Sequence, residues 1–139
     1  MKKILLTFAA LIGISKSYCQ TPVIDYFGQT PPGDSAVIFA AEIISKTGRF
    51  EHAAIFSRDG NEFYFSETPA DWVFRNTSVR KYIDNAWTVE KITSFSNRQI
   101  GGESTISYTN DSLIYTDGTD LWMVTRNDSD WNEPNKLPN

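Results

Sequence analysis

Two stretches of ten residues, 51–60 (EHAAIFSRDG) and 103–112 (ESTISYTNDS), align without a gap. Glu51 falls on Glu103, Phe56 on Tyr108, Ser57 on Thr109, Asp59 on Asp111 and Gly60 on Ser112. Each stretch runs directly into a short β-favouring segment, Phe63 to Phe65 in one and Leu113 to Tyr115 in the other. A strand, a polar turn and a second strand predict a hairpin. Aspartate and glycine at the turn satisfy local backbone donors and permit positive φ. In the second copy Ser112 lacks that freedom, so its turn is expected to be of another type.

The second halves of the two units also correspond. Residues 85–88 (NAWT) match 129–132 (SDWN), placing Trp87 on Trp131, and the alternating runs Val79 to Ile83 and Leu121 to Thr125 precede them. Each unit thus holds four strand candidates in about 44 residues, the period and content of one propeller blade. The front offset of 52 residues and the back offset of 44 imply a net eight-residue insertion in the first unit, assigned to the loop 68–76. The boundaries read as a signal peptide over 1–19, an extended leader over 20–50, a first unit over 51–97 and a second over 98–139.

Composition constrains compartment and partners. Lys2 and Lys3 precede an apolar or small-residue run, Ile4 to Ile14, too short to span a bilayer of about 30 Å. Ser17 and Cys19 then sit at −3 and −1 of a cleavage site before Gln20. The chain is therefore expected to be exported, periplasmic or extracellular, with no transmembrane helix once the signal helix is gone. Lipid attachment at Cys19 is disfavoured by Lys16 and Tyr18 at the flanking positions. Without 1–19, ten basic residues face seventeen acidic ones, a net charge of −7. That surface repels nucleic-acid phosphates. Cys19 is the sole cysteine, so an intrachain disulfide is excluded.

Residues 56–65 (FSRDGNEFYF) resemble the signature F-S-P-D-G-K-x-I-Y-F of TolB-like, WD40-like propeller repeats of the PD40 type, departing from it at Arg58. Asp120 to Trp122 and Trp131 to Pro134 resemble the strands that follow in that repeat. Residues 26–45 resemble the leader of exported proteins carrying it. The resemblance implies an all-β fold of about two four-stranded antiparallel propeller-like blades. Phe56, Tyr64, Tyr108 and Tyr115 would fill the layer between them, with Trp87 and Trp131 at one repeat position and Trp122 in the strand before Trp131. Propellers close with roughly four to eight blades, so the chain is expected to be an incomplete propeller, truncated or open, or to close its ring as a homo-oligomer.

Catalytic constellations are sparse. His52 is the only histidine, and residues 102–106 (GESTI) lack the second glycine of a nucleophile elbow. Glu51 and Glu103, at one repeat position, would lie near one mouth of a central channel, where paired carboxylates do acid–base work or bind a cation; solvated strand ends are the plainer reading. Asp117, Asp120, Asp128 and Asp130 offer oxygen ligands without EF-hand spacing and read as turn formers. No cofactor or metal is expected. Trp72, with Phe74 and Arg75, forms an aromatic-and-cation loop of the composition enriched at binding hot spots. The reading is a non-catalytic module that binds a protein or an envelope glycan, with tentative contact residues Trp72, Phe74, Arg75, Glu51 and Glu103. The alternative is an accessory propeller domain, or fragment, of an exported peptidase or glycan-active hydrolase.

Overall fold

A computed structural model describes residues 24–72, 74–96, 102–128 and 130–138. The signal-peptide helix and Cys19 lie outside them. The described chain is all-β, without helix, and forms two antiparallel sheets. The first contains β1 (Arg49–Phe56), β2 (Glu62–Pro69), β3 (Asn76–Ile83), β4 (Ala86–Trp87) and β5 (Lys91–Ile92). The second contains β6 (Gly102–Ile106), β7 (Ser112–Thr116), β8 (Leu121–Asn127), β9 (Asp130–Trp131) and β10 (Asn135–Lys136). Both are meanders. β4 and β5 both pair with β3, and β9 and β10 both pair with β8, so each pair forms the halves of one broken fourth strand.

The internal repeat is present, but its front register differs from the one read by matching aspartates and aromatics. Ile55 pairs with Tyr64 as Thr105 pairs with Ile114, and Phe56 with Phe63 as Ile106 with Leu113, an offset of 50 residues. The hydrogen bonds agree. Ser57 N–H donates to the Glu62 carbonyl as Ser107 N–H does to Ser112, and Gly60 N–H donates to Ser57 as Asn110 N–H does to Ser107. Each serine Oγ accepts the N–H five residues on and donates to an aspartate, Asp59 or Asp111. Phe56 is therefore equivalent to Ile106, not to Tyr108, and Gly60 to Asn110, not to Ser112. Asp59 matches Thr109 and Asp111 matches Asn61, while Glu103 falls on Ala53 rather than Glu51. The physical reason is that a serine hydroxyl and one residue of positive φ set the turn. Gly60 (φ 74°) and Asn110 (φ 60°) supply the latter. The same match holds at a bulge in each first strand, where Ala53 (φ 49°) and Glu103 (φ 53°) take the left-handed conformation.

The back offset of 44 stands: Trp87 pairs with Tyr82 as Trp131 pairs with Arg126. Ten residues separate the partners Ser66 and Thr77, and four separate Thr116 and Leu121, so the insertion is six residues. It lengthens the β2–β3 hairpin by one pair, Glu67 with Asn76, before the loop begins.

Both faces of the first sheet are covered. On one, Tyr64 and Val79 pack with Leu113, Tyr115, Val124 and Trp131 of the second sheet and with Phe95, while Ile55, Ile106 and Trp122 lie at the margin. On the other, Phe63 and Phe65 pack with Ala40 and Ile44 of the leader, flanked by Phe27, Phe39, Phe56 and Trp87. Phe27 stacks on Trp87 with ring centroids 4.3 Å apart, and Trp87 Nε1 donates to Asp25. Because Phe63 and Phe65 are equivalent to Leu113 and Tyr115, the second sheet shows the first the same face that the first shows the leader. The layers stack in one sense, and the face bearing Ile114 and Met123 points away from the stack. Tyr108, expected between the layers, is 71% exposed in the second turn, with the Arg58 guanidinium over its ring.

The turn assignment makes a testable contrast. A Cβ on Gly60 would also meet Ile24 at 3.2 Å. Gly60→Ala should destabilise the chain by about 1–2 kcal/mol, whereas Asn110→Gly, which relieves a left-handed non-glycine residue, should change stability by only a few tenths of that or raise it. Urea unfolding of the two variants checks the pair.

Candidate functional site

The lengthened β2–β3 hairpin ends in a cleft of about 330 Å³ lined by Gly48, Arg49, Glu67, Thr68, Pro69, Phe74, Asn76 and Ile92. Its position follows from the ladder. Glu67 and Asn76 are directly opposed on β2 and β3 and share a face, as do Arg49 and Pro69 across β1 and β2. The extra residue pair carries those side chains beyond the end of the leader-side core, and the loop brings Phe74 over them.

Arg49 organises the cleft floor. Its Nε donates to Glu51 at 2.6 Å, Nη1 to Glu67 and to Glu90 at 2.7 Å, and Nη2 to Glu90 at 3.0 Å and to the Ile44 carbonyl at 2.9 Å. All five N–H donors of the guanidinium are thereby used. Lys46 joins Glu90 at 3.2 Å. Burial works against a charged Glu90, but the hydrogen bonds and charge of Arg49, aided by Lys46, outweigh it and hold its carboxyl at about 2. Burial, together with the charge of Glu90, pushes Glu67 the other way, above the usual carboxylate range, against the pull of Arg49 and of the Ser78 hydroxyl that donates to it. Burial lowers the Arg49 guanidinium, yet its bonds to Glu90 and Glu51 more than reverse this and raise it.

Among the described residues, two buried oxygens near this network have no hydrogen-bond partner: Asn76 Oδ1 and Thr68 Oγ1. Asn76 is 4% exposed and lies on the cleft face beside Glu67. Buried polar atoms without partners are uncommon, and each calls for a cause.

Of the residues selected from the sequence, Phe74 lines the cleft and Glu51 belongs to its ionic floor. Trp72 is 58% exposed and stacks on Phe50, 50% exposed, with centroids 5.2 Å apart, which makes an aromatic shelf between that loop and β1, on the face of β1 opposite Arg49. Arg75 turns elsewhere: its side chain lies over Gly102 at the start of β6. Glu103 sits exposed at the β6 bulge, with its N–H on Ser66 Oγ. The structure therefore corrects the pairing of Glu51 with Glu103, since the first is locked to Arg49 and the second faces solvent on the other sheet. Asp117 accepts from the N–H groups of Thr119 and Asp120, as turn chemistry requires. Among the described residues no cluster of three or more His, Cys, Asp or Glu side chains is placed to hold a metal, and no helix is long and apolar enough to cross a membrane.

Arg49, Glu67, Glu90 and Asn76 were not singled out in the sequence. Arg49 and Glu90 are 41 residues apart, and nothing in the spacing announces their contact. The one available signal was the insertion itself, which marks where the two units differ. No family model, curated protein or solved structure matches the chain.

Removing the central cation leaves three carboxylates facing one another. Arg49→Met should cost about 3–5 kcal/mol at neutral pH. Glu90, held below its unfolded value of 4.5 at about 2, contributes stability that is complete above 4.5 and lost as the pH falls through 2. Acid unfolding should therefore steepen below pH 4.5, and Glu90→Gln should flatten that segment of the curve, followed by circular dichroism.

Proposed function

We propose that the chain is an exported, non-catalytic binding module of the cell envelope, its two sheets being consecutive propeller-like blades and its partner an envelope glycan or glycan-bearing protein. The observation that carries this reading is the aromatic shelf of Trp72 and Phe50 on the same hairpin end as the cleft. Large aromatic rings left in water cost free energy unless a partner covers them, and tryptophan beside a pocket is the composition of binding hot spots. Loops at the ends of sheets are where such folds carry recognition. The hydrogen-bond equivalence of the two units and their same-sense stacking support the blade reading, since blades bury a face by stacking on one another.

The ionic groups nearest the cleft suit binding rather than turnover. Glu51, Glu67 and Glu90 are tied to one guanidinium, which fixes their positions. Export places the module where glycans and membrane-anchored proteins are displayed, and its acidic surface turns it away from nucleic acid.

Trp72→Ala tests the reading. Its ring stacks on Phe50 and the residue is 58% exposed, so the melting temperature should move by no more than about 1–2 °C. Binding to an immobilised glycan array or to an envelope protein extract should fall about tenfold or more. A large loss of stability, or unchanged binding, would remove the shelf from the function.

A further inference from the structure

We infer that residues 24–46 form a strap over the Phe63 and Phe65 face, which lifts as one unit while the two sheets stay stacked, and that Glu90 is its buckle. This opening is independent of what the shelf and cleft bind.

The strap is attached without any ladder. Among the described residues its main-chain bonds to main chain are internal: Gln29 N–H to Tyr26, Glu42 N–H to Ser45, and Ile43 and Ile44 N–H to Ala40. None reaches a strand of either sheet, so no ladder bond has to break for the strap to leave. Its middle, 30–38, is exposed, and the two ends do the holding. At the front Phe27 stacks on Trp87, whose indole N–H donates to Asp25 at 3.1 Å. At the rear Ala40 and Ile44 are buried against the sheet. Gln29 braces one end to the other, donating to the Ile38 carbonyl and accepting from the Ala40 N–H. That brace makes the ends move together. Phe27, Ala40 and Glu42 all hold positive φ, a backbone cost offset only while the strap is seated.

The polar contacts at the rear converge on one ionic group. Arg49 Nη2 donates to the Ile44 carbonyl at 2.9 Å and Arg80 Nη2 to the Ile43 carbonyl at 3.1 Å. The Lys46 N–H donates to Glu51 at 3.1 Å, and Lys46 Nζ to Glu90 at 3.2 Å. The group is balanced in charge, with Glu51, Glu67 and Glu90 against Lys46, Arg49 and Arg80. All three cations meet on Glu90, Arg49 at 2.7 Å, Lys46 at 3.2 Å and Arg80 at 4.0 Å. Glu90 lies between β4 and β5, outside the strap, so it ties the strap to the sheet. Neutralising it leaves three cations facing two carboxylates and loosens both guanidinium groups that grip the strap's carbonyls.

The contact between the sheets uses none of these groups. Its ion pair is Glu62 with Arg126, on the opposite face of the first sheet, and it stays intact when the strap lifts. Lifting uncovers Phe63 and Phe65, the equivalents of the Leu113 and Tyr115 by which the second sheet stacks on the first. The open form thus offers a stacking face that the closed form hides.

Hydrogen exchange of the full chain at neutral pH, followed by nuclear magnetic resonance, tests this. In Glu90→Gln the Ile44 amide and the Trp87 indole N–H should exchange faster by a common factor of about ten to a hundred, the loss of hydrogen bonds to a charged group. Lys46→Met, which leaves Arg49 on Glu90, should act in the same direction with a smaller factor, and serves if Glu90→Gln does not fold. Glu62→Gln weakens only the contact between the sheets. It should speed the most protected amides of β7 and β8 while Ile44 and Trp87 keep their wild-type rates. Ile44 and Trp87 accelerating with β7 and β8 in Glu62→Gln would mean that the cover opens only with the whole molecule. Unchanged rates at Ile44 in Glu90→Gln and Lys46→Met would mean that the buckle holds nothing. Acceleration at Ile44 without Trp87 would mean that the ends are not one unit. Any of the three overturns the strap.

Discussion

The packing of one sheet on the other is what the rest of this molecule depends on. Tyr64 and Val79 on one side meet Leu113, Tyr115 and Val124 on the other, and Phe95 stacks on Tyr115 at 5.1 Å. Polar groups lock the rim of that layer. Arg126 pairs with Glu62, lies over the Trp131 ring at 4.2 Å and reaches the Tyr64 hydroxyl, which itself donates to Glu62. Burial works against ionising Glu62, yet the Arg126 contact holds its carboxyl below the usual range. The aromatic layer supplies area and the ion pair supplies register, so a slide of one sheet over the other would leave a buried charge unpaired.

The leader completes the same scheme. A sheet with Phe63 and Phe65 on one face and Tyr64 on the other needs a cover on each side, and residues 24–45 provide the second through Phe27, Phe39, Ala40 and Ile44. This cover is irregular. It contains turns and three left-handed non-glycine residues, Phe27, Ala40 and Glu42, where a further sheet would have strands. The first sheet is held between a layer like itself and a layer that is not.

Much of this was legible in the residues. The Asx-rich turns, the alternating runs and the two tryptophans near the unit ends announced two hairpin-based units, and Trp87 and Trp131 fall where that reading placed them. The front register was not legible in the same way. Identity favours matching Asp59 to Asp111, but the backbone matches Ser57 to Ser107 and Gly60 to Asn110, because a hydroxyl that closes the turn and a residue tolerant of positive φ matter more there than a shared carboxylate. Leader packing carried no periodicity, so its aromatic contacts were invisible. The cleft was half legible: the insertion and Phe74 were evident, whereas Arg49, Glu67, Glu90 and Asn76 come together only through the cross-strand ladder.

The entry point of the chain gives the molecule a root and a tip. Ile24 abuts Gly60 in the turn before β2, while the cleft is lined by the last residues of that strand, roughly 20 Å away at about 3.3 Å per residue. Between those points the leader crosses the sheet and delivers Arg49 to the far end. The shelf and cleft therefore lie at the tip, a strand's length from where Ile24 meets the turn.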